Sequence, residues 1–369
     1  MGAMRKHFMN ERIRHSSPPN ARVKIRLNWG RTLRYRIRNT NHSISVQLNS
    51  TNKRFVFTRL RLFLVKKNTS KDKVTRMSFC VLGSGSAGNC SALLLHYPGK
   101  PKPRVILIDL GLGLRDTEAR LRMVDLSLHM VDDILLTHFD TDHFRPVWIN
   151  RLKKMRAVVH FHLNHWPRAN LTGAPEFKHE AFDHDPFTIA PGCTVNTISL
   201  PHDEAGTTGF RFDTTAGRLG FATDLGRAPK HLLQLFDNLT VLALESNYCP
   251  QLQETSGRPY FLIRRITGGK GHLSNEQSFD TVRRIQEQSD DLRKIVLLHL
   301  SRDCNSAGRI LDVYRDHPAL SRKLIISNQK QPINWINIDT PDHVETNIPT
   351  IHTQHDLFKP TAPATRATL

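Results

Sequence analysis

Closely spaced cysteines and long apolar runs are both missing from this chain of 369 residues. The five cysteines are widely separated and include no C-x-x-C pair, which argues against a disulfide framework and against a zinc site made of cysteine alone. No apolar run approaches the length of a membrane span. The N-terminus also lacks an apolar core followed by a small-residue cleavage site. We therefore expect a cytoplasmic protein that does not enter a membrane.

Acidic residues are almost absent from the first 76 residues. This segment holds 20 Lys+Arg against only Glu11 and Asp72, whereas the rest of the chain holds 33 against 31. Three interpretations stay open: a basic arm that binds nucleic acid electrostatically, a disordered solvated tail, or sequence upstream of a true start at Met77. We expect residues 1–76 to be a basic extension, 77–340 to be the folded domain, and the polar residues 341–369 to be a loose tail.

From Met77 onward, strand and helix patterns alternate, and several buried strands end in a residue that can bind a metal. These residues are Asp109, His138, His202, Asp224 and His299. The pattern also predicts helices over 114–123, 144–155 and 275–288, the last with Ser274 as its N-cap. Strands grouped in two hairpin-rich halves favour two sheets packed face to face with helices outside. Strand ends that meet at one edge can then form a site from distant segments.

The densest group of possible ligands is the run His138-Phe-Asp-Thr-Asp-His143. In a tight loop after a strand, its two imidazoles and two carboxylates can point into one concavity and supply nitrogen and oxygen ligands. The alternative is a polar loop in which Asp142 caps the following helix. The run alone does not decide between these two interpretations.

Taken with the later residues, this run resembles the metallo-β-lactamase superfamily, in which H-x-H-x-D-H is followed by a His, a metal-bridging Asp and a final His. The resemblance implies an α/β fold, the four-layer αββα sandwich, and two divalent metal ions, zinc or manganese with iron as a further option. Carried over by position, it implies one ion on His138, Asp140 and His202. It implies a second ion on Asp142, His143 and His299, with Asp224 bridging the two.

Two positions qualify this resemblance. Asp109 matches the family's early aspartate, which supports the ligands from behind. Asp140 departs from the pattern, because the family usually has its second His there. Carboxylate is a harder donor than imidazole, so the exchange lowers the preference for zinc and favours manganese or iron; it also weakens the expected occupancy of the first site.

Local motifs look like the YycJ (WalJ) branch of the superfamily. They are Gly83–Asn89, Ala222–Gly226, Leu244–Asn247, Gly271–Glu276, and Leu298–Ser301 with Asn305. This resemblance implies a metal-dependent phosphodiesterase or nuclease, with exonuclease-like action on DNA through a metal-bound hydroxide that Asp142 or Asp224 orients. His272 resembles an auxiliary histidine that protonates the leaving oxygen or contacts phosphate; the alternative is that it only bonds a helix terminus.

Further residues are expected to support the ligands or contact substrate. They are Ser84, Asn89, Glu245, Asn247, Asn275, Arg264 and Arg265. The two arginines could grip a nucleic-acid backbone. His160, His162 and His165 lack a carboxylate at ligand spacing, so we do not expect a second metal site there. Two rival functions stay open: a small-molecule phosphodiesterase or thioester hydrolase of the same fold, and a nucleic-acid-binding protein whose metal site is degenerate at Asp140.

Overall fold

The computed structural model describes residues 73–339 and four short strands nearer the N-terminus. Those four strands form two antiparallel pairs: β1 (Arg22–Arg26) with β2 (Thr32–Arg36), and β3 (Ile44–Ser45) with β4 (Arg61–Leu62). They belong to a compact unit, Met1–Lys67, while the rest of the chain forms another. The other residues before 73 and the expected loose tail 341–369 lie outside the described residues, so the roles of the basic extension and of the tail stay predictions.

The first of two large sheets contains seven strands in the order β10-β9-β8-β7-β6-β5-β18. Their bounds are β5 Arg76–Gly83, β6 Cys90–His96, β7 Arg104–Ile108, β8 Val131–Leu136, β9 Val158–His162, β10 His179–Phe182 and β18 Ile336–Asn337. Strands β7 to β10 run parallel. The apolar run Val105–Ile108 in β7 is buried throughout, as is typical of a parallel strand that is covered on both faces. Val74, three residues before the expected boundary at Met77, is already buried in the core.

The second sheet also contains seven strands, in the order β11-β12-β13-β14-β15-β16-β17. Their bounds are β11 Phe187–Ala190, β12 Cys193–Leu200, β13 Thr207–Thr214, β14 Gly217–Ala222, β15 Val241–Glu245, β16 Lys294–Leu298 and β17 Leu324–Ile326. The first four strands pair antiparallel, and β14 to β17 run parallel. The parallel strands therefore send their carboxyl ends to one edge, as their sequence pattern predicts.

Helices connect many of the strands, and some of them pack against the sheets. They are α1 Leu114–Met123, α2 Ile149–Leu152, α3 Trp166–Leu171, α4 Lys230–Leu235, α5 Pro250–Glu254, α6 Tyr260–Thr267, α7 Asn275–Glu287, α8 Ala307–Tyr314 and α9 Pro318–Ser321, with single 3₁₀ turns at Leu128–Met130, Pro146–Trp148, Leu163–His165 and Ala174–Glu176. Across residues 73–339, no helix is both long and apolar enough to traverse a bilayer.

The core lies in two layers. Residues from both sheets share one buried cluster, in which the rings of Phe79 and Phe221 meet edge to face with centroids 6.2 Å apart. A second cluster joins the outer face of the second sheet to α4, α7 and α8. This arrangement confirms the predicted αββα sandwich, because each sheet buries one face against the other and one against helices.

Two helix predictions had different outcomes. Helix α7 begins after Ser274, whose side chain accepts from the Gln277 amide in a capping box, as predicted. The helix predicted over 144–155 is wrong in length, since only the Pro146–Trp148 turn and α2 form. Leu110 donates to the His143 carbonyl (2.7 Å) and accepts from Arg145 N (3.1 Å). These two hydrogen bonds hold residues 143–145 beside Leu110, so helical structure begins only at Pro146.

Candidate metal centre

Residues that leave the ends of parallel strands converge at one edge of the sandwich. Asp109 follows β7, Asp224 lies two residues after β14, and His299 follows β16. All three have positive φ angles, 64°, 52° and 55°, in the left-handed region that non-glycine residues rarely adopt. Such strained backbone concentrates at functional sites, where the surrounding structure enforces it. Each strand thus turns sharply at the residue whose side chain enters the site.

The first cluster consists of His138, Asp140 and His202, whose candidate ligand atoms lie within 4.8 Å of one another. His138 Nε2 is 3.8 Å from Asp140 Oδ2. His202 Nδ1 donates to the Gly271 carbonyl at 3.0 Å. Because a carbonyl can only accept, the neutral tautomer that fits this contact carries its lone pair on the other ring nitrogen of His202.

A buried hydrogen-bond chain sets the tautomer of His138. The Thr137 hydroxyl lies 3.0 Å from both carboxylate oxygens of Asp109 and 3.0 Å from His138 Nδ1. Its single proton goes to Asp109, which can only accept, so His138 Nδ1 is the donor to Thr137. Nε2 of His138 therefore carries the lone pair, and it is buried with no hydrogen-bond partner among residues 73–339.

The second cluster consists of Asp142, His143, Asp224 and His299, again with candidate ligand atoms within 4.8 Å of one another. His143 Nδ1 donates to Asp109 Oδ2 at 2.7 Å, and its Nε2 contacts Asp224 Oδ2. His299 Nε2 lies 3.4 Å from Asp142 Oδ2. These two clusters are the same residue groups that the resemblance implies for the two ions.

Asp224 lies between the clusters. Its Oδ2 contacts His143 and is 3.7 Å from His138 Nε2, while its Oδ1 is 2.5 Å from His299 Nδ1. The side chain is almost fully buried. One carboxylate is thus placed to serve both groups of ligands.

A third group adds Glu245 and His272 to Asp224 and His299. Glu245, the last residue of β15, is fully buried. Its Oε1 accepts from His272 Nδ1 at 2.6 Å and lies 3.2 Å from His299 Nδ1, while Oε2 accepts from Leu225 N at 2.8 Å. Glu245 therefore orients the ring of His272 through its Nδ1. The His272 side chain is 21% exposed.

The Gly83–Asn89 loop supports the centre through backbone contacts. Ser84 Oγ accepts from His299 N at 2.9 Å and donates to Asn89 Oδ1 at 2.9 Å. Asn89 Nδ2 donates to the Asp142 carbonyl at 3.1 Å. Both side chains are buried; Ser84 holds the His299 backbone, and Asn89 holds the Asp142 carbonyl and also lies 3.0 Å from His143 Nε2. Gly111 lets its own backbone lie close to Asp142, because a Cβ at this position would lie 1.7 Å from the Asp142 carbonyl oxygen.

Asn247 and Asn275 are also buried behind the site. Asn247 Nδ2 donates to the His299 carbonyl at 2.7 Å, and Asn275 Oδ1 accepts from Ser246 Oγ at 2.8 Å. The Asn247 bond holds the backbone that presents His299, and the Asn275 bond fixes the side chain of Ser246. Thr137 is the residue that sequence reasoning missed. Its signal was a hydroxyl directly before His138 at the end of a strand, which a search for ligand-type residues alone passes over.

Comparison with known proteins identifies the family to which this chain belongs. Residues 104–300 match the family described as "Beta-lactamase superfamily domain", more than half of the chain. The chain belongs to the metallo-β-lactamase superfamily. Exodeoxyribonuclease YycJ of Bacillus anthracis is 26% identical over 240 residues, covering 62% of this chain and 84% of that protein. Exodeoxyribonuclease WalJ of Streptococcus pneumoniae serotype 2 is 22% identical over 231 residues, covering 62% and 82%. The predicted superfamily and its YycJ-like branch are thus confirmed.

Two solved structures share the metallo-β-lactamase fold with this chain. YhfI from Bacillus subtilis gives a TM-score of 0.52 at 15% identity and covers 71% of this chain and 99% of its own. Zn(2+)-bound PqqB from Methylobacterium extorquens gives 0.50 at 15% identity and covers 70% and 99%. At this identity the likeness establishes the fold alone. Membership of the superfamily implies divalent metal ions and supports hydrolase chemistry.

The electrostatics of this metallo-β-lactamase-fold centre suit cations. Burial by itself would raise the pKa of Asp224, but His299 and His143 hold it well below its usual range. Burial would lower the pKa of His143, yet Asp224 and Asp109 raise it well above normal. Burial and the neighbouring His143 lower the pKa of His138. Metal ligands must be deprotonated, so bound ions would displace the protons that these imidazoles otherwise share with the carboxylates.

The residues present fit divalent ions. Nε2 atoms of His138 and His299 are buried without hydrogen-bond partners among the described residues, and such atoms are costly unless something coordinates them. Mixed imidazole and carboxylate donors are typical of zinc, manganese or iron sites. Asp140 completes the first cluster in the position of the usual His, with its side chain 41% exposed.

The remaining candidates lie outside the two clusters. Arg265 on α6 pairs with Asp203, next to His202, and Arg264 is exposed on the same helix. His160 Nε2 lies 3.0 Å from Asp133 Oδ1, so a carboxylate that is distant in sequence satisfies it. Within the described residues, His160, His162 and His165 belong to none of the metal-type groups.

Proposed function

We propose that this chain is a metal-dependent phosphodiesterase that acts on DNA, with exonuclease-like cleavage in the cytoplasm. The observation that carries the proposal is Asp224, a single buried carboxylate that faces His138 on one side and His143 and His299 on the other. Two-ion centres stabilise both the attacking and the leaving oxygen of a phosphate diester. The relatives named as exodeoxyribonucleases support DNA as the substrate.

We assign two divalent ions, zinc or manganese with iron as a further option, to the two clusters. His138, Asp140 and His202 would hold one ion; Asp142, His143 and His299 would hold the other; Asp224 would contact both. Bound there, the ions would supply a nucleophile at neutral pH and neutralise charge that builds on the phosphate.

The chain's own residues would handle orientation and protons. Asp109 fixes the ring of His143 through Nδ1, so that its other nitrogen faces the second cluster. Asp142, whose side chain is 28% exposed, lies at the open side, where it would orient the attacking water. His272 would protonate the leaving oxygen through Nε2, because Glu245 holds its Nδ1 at 2.6 Å.

An activity screen with manganese tests the proposal. The substrates are 5′-labelled and 3′-labelled DNA and RNA in single- and double-stranded form, bis-p-nitrophenyl phosphate and a thioester. We expect hydrolysis of the diester and progressive shortening of DNA from one end, with Asp224→Asn as the inactive control. Cleavage of the thioester alone would identify a different hydrolase, and purification with well under one metal per chain would identify a binding protein.

A further inference from the structure

Helix α6 (Tyr260–Thr267) exposes two aromatic side chains and two arginines on its surface. None of its residues is fully buried, and Tyr260 and Phe261 are each 74% exposed. Arg264 and Arg265 follow at the three- and four-residue spacing that places side chains on one side of a helix. Exposed aromatic residues grouped with arginines mark a surface that contacts something else.

The segment that contains this helix is locally basic. Residues 258–274 include four Lys+Arg and no Asp or Glu, although the chain beyond residue 76 is nearly balanced in charge. Arg258 pairs with Asp303 at 3.0 Å, and Arg265 pairs with Asp203. For Arg264 and Lys270 the described part of the chain offers no ion pair. The face therefore carries positive charge that an anionic ligand could neutralise.

This face is continuous with the candidate metal centre. The loop after α6 returns to the site, where His272 N donates to the Ile266 carbonyl at 2.9 Å and Asp203 N donates to the Lys270 carbonyl at 2.8 Å. Arg265 pairs with Asp203, which directly follows the candidate ligand His202. The arginine end of the face therefore lies beside the first cluster, and Tyr260 lies about 7 Å further along the helix axis, at 1.5 Å per residue.

We propose that the face formed by Tyr260, Phe261, Arg264 and Arg265 binds single-stranded nucleic acid beside the metal centre. The aromatic rings stack on unpaired bases, and Arg264 contacts a backbone phosphate. A single strand is the occupant because bases within a duplex already stack on one another and cannot cover these rings. The inference rests on the proposed nucleic-acid substrate and specifies the form in which the strand approaches the centre.

Steady-state kinetics of the full chain test this role. The substrates are single-stranded oligonucleotides of increasing length, with bis-p-nitrophenyl phosphate as the short reference. The double variant Tyr260→Ala, Phe261→Ala should raise KM on long strands by about tenfold or more, with kcat at saturation and hydrolysis of the small diester unchanged. Arg264→Gln should flatten the slope of log KM against log salt by about 0.7. The matched control is Arg122→Gln, Met123→Ala, an exposed basic and apolar pair on α1.

Equal KM values for variant and wild type at every strand length would overturn the inference. It would also fall if the double variant changed the oligomeric mass in light scattering, since the face would then be an interface between copies. Photocrosslinking of an iododeoxyuridine strand with cleavage-resistant linkages separates the two proposals because it needs no turnover. If Tyr260 or Phe261 crosslinks to this strand but cleavable DNA is not hydrolysed, the binding face is supported and the nuclease proposal is wrong. If cleavable DNA is hydrolysed but neither residue crosslinks, the nuclease proposal is supported and the binding face is wrong.

Discussion

Replacing Asp224 with asparagine tests the centre most directly, since the shape is kept and the charge removed. Its carboxylate contacts His143, lies 3.7 Å from His138 Nε2 and lies 2.5 Å from His299 Nδ1. An amide has one acceptor oxygen and no charge. Asp224→Asn therefore deprives both clusters of their shared anionic donor at once.

Asp109 provides a scale for the expected loss. Its carboxylate contacts Thr137 and His143, and removing an outer partner of this kind lowers metal affinity by about 10- to 100-fold. Asp224 contacts candidate ligands of both clusters, so Asp224→Asn should lower the affinity for each ion by more than this loss of about 10- to 100-fold. We expect both ions to leave on dialysis and hydrolysis of bis-p-nitrophenyl phosphate to fall by more than Asp109→Asn causes.

Without metal, Asp224→Asn should also be less stable than the metal-free wild-type protein. The pKa of His143 and of His299 is raised well above the usual value of 6.5 despite burial, in both cases with the Asp224 charge as the main cause. Breaking a buried ion pair costs about 3–5 kcal/mol. A group whose pKa is raised on folding stabilises the protein below its unfolded pKa and loses that effect as pH rises. The destabilisation should therefore be largest just below pH 6.5 and shrink at higher pH.

Two assays test these expectations. Plasma mass spectrometry after dialysis measures the metal content per chain, and denaturant unfolding in the presence of a chelator measures the stability of the metal-free protein. His160→Ala is the matched control, because His160 is a buried histidine that pairs with Asp133 outside the metal-type groups. It should keep its metal. If Asp224→Asn retained two ions and near-normal turnover, the assignment of Asp224 as the shared ligand would be wrong.

Three further predictions concern single elements of the chain. Asp140→His restores a softer donor, so the ratio of bound zinc to manganese after dialysis against equal amounts of both should rise; an unchanged ratio would mean that Asp140 does not reach the ion. His272→Ala should keep both metals but lose roughly 10²–10⁴ in turnover, with a smaller loss on p-nitrophenolate esters, which need little protonation; equal losses on poor and good leaving groups would exclude the acid role. Deleting residues 1–67 should leave hydrolysis of a small diester intact, and should weaken DNA binding and flatten its salt dependence if the basic extension binds DNA. DNA affinity that keeps the same salt slope after the deletion would exclude that role, and a truncated protein that fails to fold would place part of the core in the removed segment.

Much of the fold and the list of candidate ligands could be predicted from the sequence, because both depend on local patterns. The apolar runs of β7, β8 and β16 predict buried strands, and each run is followed by a residue with a ligand-type side chain. Since parallel strands send their carboxyl ends to one edge, Asp109, His138 and His299 were expected to meet. The same reasoning predicted the N-cap at Ser274, which depends on a few adjacent residues.

Contacts between distant segments were decided by the tertiary structure. The sequence does not indicate that Glu245 joins His272 to His299, that Ser84 and Asn89 turn inward onto the backbone of His299 and Asp142, or that Asp133 satisfies His160. Each depends on a partner dozens of residues away, placed by the sheet order. The helix predicted from residue 144 was shortened for the same reason, because pairing with Leu110 outweighs local helix propensity. The sequence thus determined which groups could do the chemistry, and packing determined which of them touch.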